Sequence, residues 1–205
     1  MSDTRVDGRV ARGERTRRRV AEALIALLED GVADPTARQV AERAGVSPRI
    51  VFHHYADMEQ VLHAAVAIQA ERHWSRLHPI DPSRPLAERV RRLVGQRAAL
   101  FDAIAPVRRA AALVEHRSPT VATELGRSRS VLRRQLSEVF GPELSEADEP
   151  EDLVAALEVS AGWDTWDHLR CQMGQPASGA RGVMTRMLTA LLATACGPTP
   201  PRGSP

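Results

Sequence analysis

Apolar residues recur at helical spacing along most of the chain, and the alternation typical of strands is almost absent. Stripes with this spacing predict helices over residues 14–29, 57–77, 86–105, 106–115, 119–139, 150–169 and 178–195. Pro106 is expected to separate the third of these helices from the fourth, because a proline inside a helix removes a backbone hydrogen bond. With the two short helices described next, the chain is predicted to be all-α, with about nine helices.

Residues 36–62 predict two short helices joined by a glycine turn and followed by a longer helix. Thr36 can cap the first short helix, and Gly45 supplies the left-handed backbone geometry that ends it. Ser47 is a good N-cap and a proline suits the first helical position, so the second short helix should be Pro48–His54. This order of elements is the layout of a helix-turn-helix DNA-binding domain.

The helices around this pair are expected to complete its core. In the second short helix, Val51 and Tyr55 should face inward, since they lie one turn apart. Helix 14–29 carries an apolar stripe that Gly31 ends, and it should pack across the two short helices. Asp57 can cap the next helix, which would link the helix-turn-helix to the rest of the chain.

Composition agrees with a globular protein. A chain of 205 residues with 43% hydrophobic residues can bury one core and a smaller second one. Its longest uninterrupted apolar run, residues 23–28, is too short to span a membrane, and no signal-peptide core lies near the first residue. We therefore expect a soluble cytoplasmic protein. Cys171 and Cys196 lack the spacing of a disulfide scaffold or a zinc site, so reduced thiols are expected.

Charge is informative in its arrangement rather than in its total of +2. Residues 1–19 contain seven arginines and three acidic residues directly before the helix-turn-helix, and we expect a flexible arginine-rich arm there. Residues 143–152 contain six acidic residues and no basic one, which predicts an exposed loop facing away from DNA. Residues 198–205 are rich in proline and are predicted to be a disordered tail.

Helices 150–169 and 178–195 stand out because both are strongly apolar. The first has apolar or aromatic residues on more than one face, and such a helix must be buried nearly all round. A four-helix contact between these two helices and their copies in a second subunit would bury them, which predicts a homodimer. The alternative is that the first of the two is the interior helix of a monomer.

Taken together, the first 65 or so residues resemble the tetracycline-repressor (TetR) family of transcriptional regulators. The resemblance rests on the first helix, on the glycine turn, and on the aromatic and histidine cluster after it: Thr16-Arg17, Ala23, Leu27, Gly31, Thr36, Val40-Ala41, Ala44-Gly45-Val46-Ser47, Phe52-His53-His54-Tyr55 and residues 59–62. The rest of the chain resembles the family only in the number, order and length of its helices. In that family the region is a divergent dimerisation and effector domain.

The resemblance implies a division into three parts. Residues 1–57 would be the DNA-binding domain with its arm, residues 58–197 the effector-binding and dimerisation domain, and residues 198–205 the tail. It also implies phosphate contacts at Thr36 and near His54. Base or backbone contacts are implied for four further residues: Ser47, Pro48, Arg49 and His53.

Two positions depart from the family pattern. Its members usually have tyrosine where this chain has Phe52, which we keep among the candidate DNA-binding residues, and lysine where it has Met58. Each change removes a donor that would reach DNA. DNA affinity would then depend more on the arginine-rich arm, or the operator would be unusual.

The chemistry of the candidate residues leaves alternatives open. Arg49 can bond guanine O6 and N7 together, or it can contact phosphate only. His53 and His54 can each donate to phosphate, or one can pack under Tyr55; no nearby ligand completes a metal site with them. The arm arginines can enter the minor groove, screen the backbone charge or remain solvated: Arg12, Arg15, Arg17, Arg18 and Arg19.

An effector pocket is expected among the helices after the DNA-binding domain, because ligand pockets are apolar with a few polar anchors. The candidate lining residues are aromatic or polar residues on these helices: Gln69, His73, Trp74, Phe101, His116, Trp163 and Trp166. Each can equally be an ordinary core or surface residue. Trp163 and Trp166 share a helix face and can equally fill the dimer contact.

The predicted function is a homodimeric repressor that binds a near-palindromic operator in double-stranded DNA and is released by a small apolar or amphipathic effector. The alternative is a helical small-molecule sensor or interaction protein whose DNA reader is degenerate. An enzyme is not expected, because the sequence has no serine elbow, phosphate-binding glycine loop or catalytic carboxylate pair. No cofactor, metal or catalytic residue is predicted.

Overall fold

The computed structural model describes residues 3–195, with side chains over residues 10–194. Every regular element in that part of the chain is helical, which confirms the predicted all-α fold class. The α-helices are α1 (Asp3–Glu29), α2 (Ala37–Ala44), α3 (Pro48–His54), α4 (Met58–His73), α5 (Leu86–Val114), α6 (Pro119–Val139), α7 (Gly141–Glu146), α8 (Pro150–Ser160), α9 (Trp163–Asp167) and α10 (Ala177–Ala195). A 3-10 turn, Trp74–Arg76, follows α4, and a π-helical turn, His168–Gln172, follows α9. None of the described helices is long and apolar enough to cross a membrane.

Helix α1 starts earlier than the sequence predicts. It begins at Asp3 rather than near residue 14, so it includes much of the segment for which a flexible arm is predicted. Arginine, alanine and glutamate favour a helix, and each of the glycines at positions 8 and 13 costs only about 1 kcal/mol there. Cys196 and the predicted tail lie outside the described residues.

Helix α5 is continuous from Leu86 to Val114, so the predicted break at Pro106 is wrong. A proline inside a helix costs about 3 kcal/mol. Burial of the apolar residues on both sides offsets this cost, since Phe101 and Val107 are almost completely buried. Each fully buried large side chain contributes about 1.5–3 kcal/mol.

The predicted acidic loop at residues 143–152 is also wrong, because most of it is helical. Glu143 lies in α7 and is only 8% exposed, and its carboxylate pairs with the Arg89 guanidinium of α5. Pro150 opens α8, where its missing N–H costs no hydrogen bond. A run of acidic residues therefore predicts an exposed loop only if no cation from elsewhere in the sequence pairs with one of these residues in the fold.

The helix predicted over residues 150–169 is interrupted between α8 and α9. The two residues between them include Gly162, where an added Cβ would lie 2.8 Å from the Glu158 carbonyl oxygen. Carbonyls near the interruption gain side-chain donors: the Thr165 hydroxyl donates to the Val159 oxygen at 2.6 Å, and Arg97 donates to the Ala161 oxygen at 3.2 Å.

Packing divides the chain into two compact units. Unit 1 contains residues 1–75 and 103–128, and unit 2 contains residues 76–102 and 129–205. The core of unit 1 joins apolar residues of α1 to α4 with residues from the second half of α5 and the start of α6. The predicted functional boundary between residues 57 and 58 concerns DNA contact rather than packing, and it stays a prediction.

Candidate nucleic-acid interface

Local hydrogen bonds fix the start and the end of α2. Thr36 and Gln39 form a capping box, in which the Thr36 hydroxyl accepts from the Gln39 N–H at 3.3 Å and donates to Gln39 Oε1 at 2.8 Å. Gly45 ends the helix with φ of 63°, a conformation that favours glycine. The predicted phosphate contact of the Thr36 hydroxyl would therefore have to replace its bond to Gln39.

Two buried side chains fix the orientation of α3. Val51 is fully buried, and Tyr55, directly after the helix, is nearly so, as predicted. The Tyr55 hydroxyl donates to the Arg17 carbonyl oxygen of α1 at 2.9 Å, and the Arg17 guanidinium lies 4.9 Å from the Tyr55 ring centre. Burial raises the pKa of Tyr55, so the phenol stays protonated and keeps this hydrogen bond.

The opposite face of α3 is open to solvent. Ser47, Pro48, Arg49 and His53, all predicted to contact DNA, are exposed together on the helix and its N-cap. Within the described residues, the Arg49 guanidinium has no ion pair or hydrogen bond. A cation that the protein leaves unpaired on a recognition helix is available to guanine or phosphate.

The two adjacent histidines lie in different environments. Their ring centres are 5.2 Å apart at an angle of 71°, with His53 exposed and His54 half-buried. Burial, followed by the nearby His53 and Arg17, lowers the pKa of His54. A neutral imidazole keeps one N–H donor, so a phosphate contact near His54 needs no charge on that ring.

The candidate arginines of α1 are partly engaged inside the protein. Arg18 bonds Glu22 at 3.2 Å and Glu71 of α4 at 3.1 Å, and these carboxylates raise its pKa. Arg17 covers Tyr55, as described above. The remaining candidates of this segment are exposed: Arg12, Arg15 and Arg19.

The candidate effector residues fall in both units. In unit 1, Gln69 is buried and donates to Glu29 at 3.3 Å, while its Oε1 has no partner among the described residues. His73 and Trp74 are half-buried, and His116 is exposed. These residues stay candidates, since no bound molecule tests them.

The other three candidates come together in unit 2. The Phe101 and Trp163 rings pack edge to face with their centres 5.9 Å apart. Trp166 is buried, and its Nε1 donates to Asp102 at 3.2 Å. The arrangement is an aromatic cluster with one carboxylate at its edge, which fits either a core or the wall of an apolar pocket.

Sequence reasoning missed two buried arginines in unit 2. Arg97 is completely buried and donates to Gln135 Oε1 at 3.0 Å, to the Leu132 oxygen at 2.7 Å and to the Ala161 oxygen. Burial lowers its pKa to about 10, so it remains charged at neutral pH. A signal was present, because Arg97 occupies a position of the apolar stripe of α5 between Leu93 and Phe101.

The second buried arginine is Arg89. It bonds the Glu143 carboxylate through two nitrogens, at 2.5 and 2.7 Å, and also donates to the Val139 and Arg84 carbonyl oxygens. Burial acts to raise the pKa of Glu143, but the bonds from Arg89 hold that pKa below its ordinary value. This pair joins α5 to α7.

The described residues contain no group of three or more histidine, cysteine, aspartate or glutamate side chains that could hold a metal ion.

Fold and site together define an all-α protein whose N-terminal half carries a helix-turn-helix with an exposed recognition helix.

Comparisons with known proteins relate one segment of the chain to a family and the whole chain to solved structures of the same fold. Residues 20–65 match the family described as bacterial regulatory proteins, tetR family. A transcriptional regulator from Rhodococcus sp. Rha1 has a similar structure, with a TM-score of 0.70 at 22% identity over 89% of this chain and 99% of that one. No curated protein sequence matches the chain.

Two further solved structures share the fold. One is described as a TetR-family transcriptional regulator from Rhodococcus sp., with a TM-score of 0.66 at 14% identity over 87% of this chain and 99% of that one. The other is Salmonella enterica GusR, with a TM-score of 0.60 at 21% identity over 87% and 95% of the two chains. Residues 20–65, which contain the helix-turn-helix, thus match the tetR family, and the chain as a whole shares the fold of these solved structures.

Proposed function

We propose that the protein is a homodimeric repressor that binds a near-palindromic operator and is released by a small apolar or amphipathic molecule. The observation that carries the proposal is the outward face of α3, where Arg49 and His53 are exposed on a helix anchored by Val51 and Tyr55. A recognition helix of this kind lies in the major groove, where a guanidinium can bond guanine through two atoms. Such a repressor would act in the cytoplasm.

The surface of unit 2 supports the dimer. Helix α10 has a second apolar stripe beside its buried one. The residues of this stripe follow each other at intervals of one turn and are only half-buried: Val183, Met187 and Leu191. On α8, which packs against α10, Val159 is 69% exposed. Apolar surface on two adjacent helices is what an isologous four-helix contact would cover.

A two-fold dimer has one helix-turn-helix per chain. The two half-sites of its operator should therefore lie about 34–36 Å apart, or a multiple of that distance. The effector would favour a state in which the two readers are held at a separation that does not match this spacing. It can do so only through its different affinity for the two states. The aromatic cluster of Phe101, Trp163 and Trp166 is apolar but buried, so a ligand that binds there would have to open its packing.

DNA binding is tested by gel shift with duplexes from the region upstream of the protein's own gene. We expect sequence-selective binding, and we expect Arg49→Ala to weaken it by about fivefold to 150-fold, which corresponds to the discrimination of a bidentate arginine contact. Arg91→Ala is the matched control, because Arg91 is an exposed arginine of α5 outside the helix-turn-helix. Equal weakening by both substitutions would contradict a base-reading role for Arg49.

The dimer is tested by sedimentation of the full chain at micromolar concentration, where a species of twice 22.4 kDa is expected. Val159→Glu should shift the population toward the monomer, because it places a charge in the proposed apolar contact. Ala99→Glu, at an exposed position of α5, is the control. A monomer of the unmodified protein at this concentration would sink the proposed mechanism.

The alternative function is a helical sensor whose reader has lost DNA affinity. It is favoured by one observation: the exposed Phe52 and the half-buried Met58 supply no hydrogen-bond donor where the family usually has a tyrosine and a lysine. The gel shift separates the two functions, since a sensor of this kind would show no sequence-selective binding.

A further inference from the structure

Two large apolar side chains are exposed on α3, one on each side of the outward-facing Arg49. Ile50 is 39% exposed and Phe52 is 52% exposed, and they lie two positions apart on a helix of seven residues. A single exposed apolar residue is ordinary on a protein surface. A pair on the side that meets DNA is informative, because apolar side chains strengthen binding when they lose water against an apolar group of the DNA.

The direction of both side chains is fixed by the packing of α3. Val51, which lies between them in sequence, is fully buried, and Tyr55 is tied to the Arg17 carbonyl of α1. Rotating the helix to bury Ile50 or Phe52 would expose Val51 and break this hydrogen bond. The two apolar side chains are therefore held at the solvent, on either side of Arg49.

We infer that Ile50 and Phe52 read the C5-methyl groups of thymine in the operator, next to the base contacted by Arg49. This inference rests on the proposed function, since it assigns part of the operator's chemistry. Thymine is the base that presents an apolar group in the major groove, whereas the other base edges there present hydrogen-bond donors and acceptors. Arg49 supplies the cation that holds this face of α3 on the polyanion.

The chemistry decides between thymine and the other bases. Covering a thymine methyl with an apolar side chain removes one methyl-sized surface from water and strengthens binding by about fourfold. Covering a guanine, cytosine or adenine edge leaves a donor or an acceptor unpaired, which weakens binding by about fivefold or more. Ile50 and Phe52 have no polar atom to satisfy such an edge, so both effects favour thymine.

The test begins with selection of bound duplexes from a random-sequence pool by the full-length protein. In the enriched duplex each thymidine is then replaced, one at a time, by deoxyuridine, which pairs identically but lacks the methyl group. Fluorescence anisotropy measures the Kd of each duplex. We expect one or two positions per half-site at which the loss of the methyl weakens binding by about fourfold, with no effect elsewhere.

Variants then assign the methyl contact to its side chain. Ile50→Ala and Phe52→Ala are each expected to abolish the uracil effect at one position, because the partner of that methyl is gone. Leu113→Ala removes an even more exposed apolar residue outside α3 and should keep the full effect. Circular dichroism checks that each variant is folded.

Two results would overturn the inference, and they separate it from the proposed function. An enriched operator whose affinity is the same with uracil at every position, or a uracil effect that persists in both variants, overturns the reading of thymine methyl groups and leaves the repressor intact. A failure to enrich any sequence overturns both.

Discussion

The recognition helix α3 and the core of unit 2 use arginine in opposite ways. On α3, Arg49 is exposed and has no protein partner among the described residues, while apolar side chains hold the helix from behind. In unit 2, Arg97 and Arg89 are buried, and each donates three or more hydrogen bonds within the protein. All 28 basic residues of the chain are arginines, so residue type does not distinguish the two uses. Burial and pairing decide which arginines are available to DNA.

The difference also separates function from stability. Substituting an exposed, unpaired cation changes what the protein can bind and leaves its folding almost unchanged. Substituting a buried, fully bonded cation leaves its acceptors without partners and opens a cavity. Variants of the two kinds should therefore affect different measurements.

The largest effect is expected at Arg97. Arg97→Ala should lower the free energy of unfolding by about 2–4 kcal/mol, because Gln135 and two backbone carbonyls lose a charged donor and the side chain leaves a void. Urea unfolding measures this loss. Arg97→Met, which fills most of the volume, should lose less.

Arg91→Ala provides the control for this experiment, since Arg91 is an exposed arginine of the same helix. Its unfolding free energy should stay within about 0.5 kcal/mol of the unmodified protein. If Arg97→Ala behaved like Arg91→Ala, the buried network would have no structural role and the contrast between the two regions would fail.

The next effect tests the pair of Arg89 and Glu143 through pH. Glu143→Gln should cost about 1–3 kcal/mol at neutral pH, because a bond between charged groups becomes one to a neutral amide. The folded pKa of Glu143 lies below its ordinary value of 4.5, so this stabilisation is present above pH 4.5 and is lost as the pH falls through the folded pKa.

The difference in unfolding free energy between the variant and the unmodified protein should therefore shrink in acid. Glu138→Gln is the control, because Glu138 is exposed and lies 3.9 Å from Arg134 at the surface. A difference that stays constant from pH 7 down to pH 3 would show that ionisation of Glu143 does not stabilise the fold.

The helix-turn-helix could be predicted from the sequence because local chemistry specifies it. Thr36 caps α2, Gly45 ends it with a positive φ, Pro48 opens α3, and Asp57 caps α4 through the Gln60 N–H. Each of these signals acts within a few residues. Tertiary packing decides which of its side chains are buried, but it does not change the order of the helices.

Two of the errors lie where distant residues decide the outcome. Burial of apolar residues on both sides keeps α5 helical through Pro106. Glu143 is buried although it belongs to a run of acidic residues, because it pairs with Arg89, which lies 54 residues before it in the sequence. The exposed face of α3 followed from periodicity, which places Val51 inside and Arg49 outside. Pairing of Arg18 with Glu71 of α4 could not be predicted, because spacing along one helix does not show which other helix lies beside it.

A smaller effect is expected from the anchor of α3. Tyr55→Phe removes the hydrogen bond to the Arg17 carbonyl and should lower the unfolding free energy by about 1 kcal/mol. DNA affinity should fall less than in Arg49→Ala, since no group that contacts DNA is removed. Urea unfolding and anisotropy on the same samples measure both quantities. A loss of affinity equal to that of Arg49→Ala with unchanged stability would mean that Tyr55 contacts DNA directly.

The smallest effect is expected when Met58 is replaced by lysine, a substitution that adds one unpaired cation to the DNA-binding region. Met58→Lys should make the slope of log K against log salt concentration steeper by about 0.9, the value for one additional phosphate contact. It should cost only about 0.3–1 kcal/mol in stability, because a cation at the start of α4 opposes the helix dipole. Met58→Leu keeps the apolar packing and should leave the slope unchanged. If the slope were unchanged in Met58→Lys as well, residue 58 would be too far from the DNA to contact a phosphate. The exposed arginines of α1 and α3 would then supply the contacts to the DNA backbone.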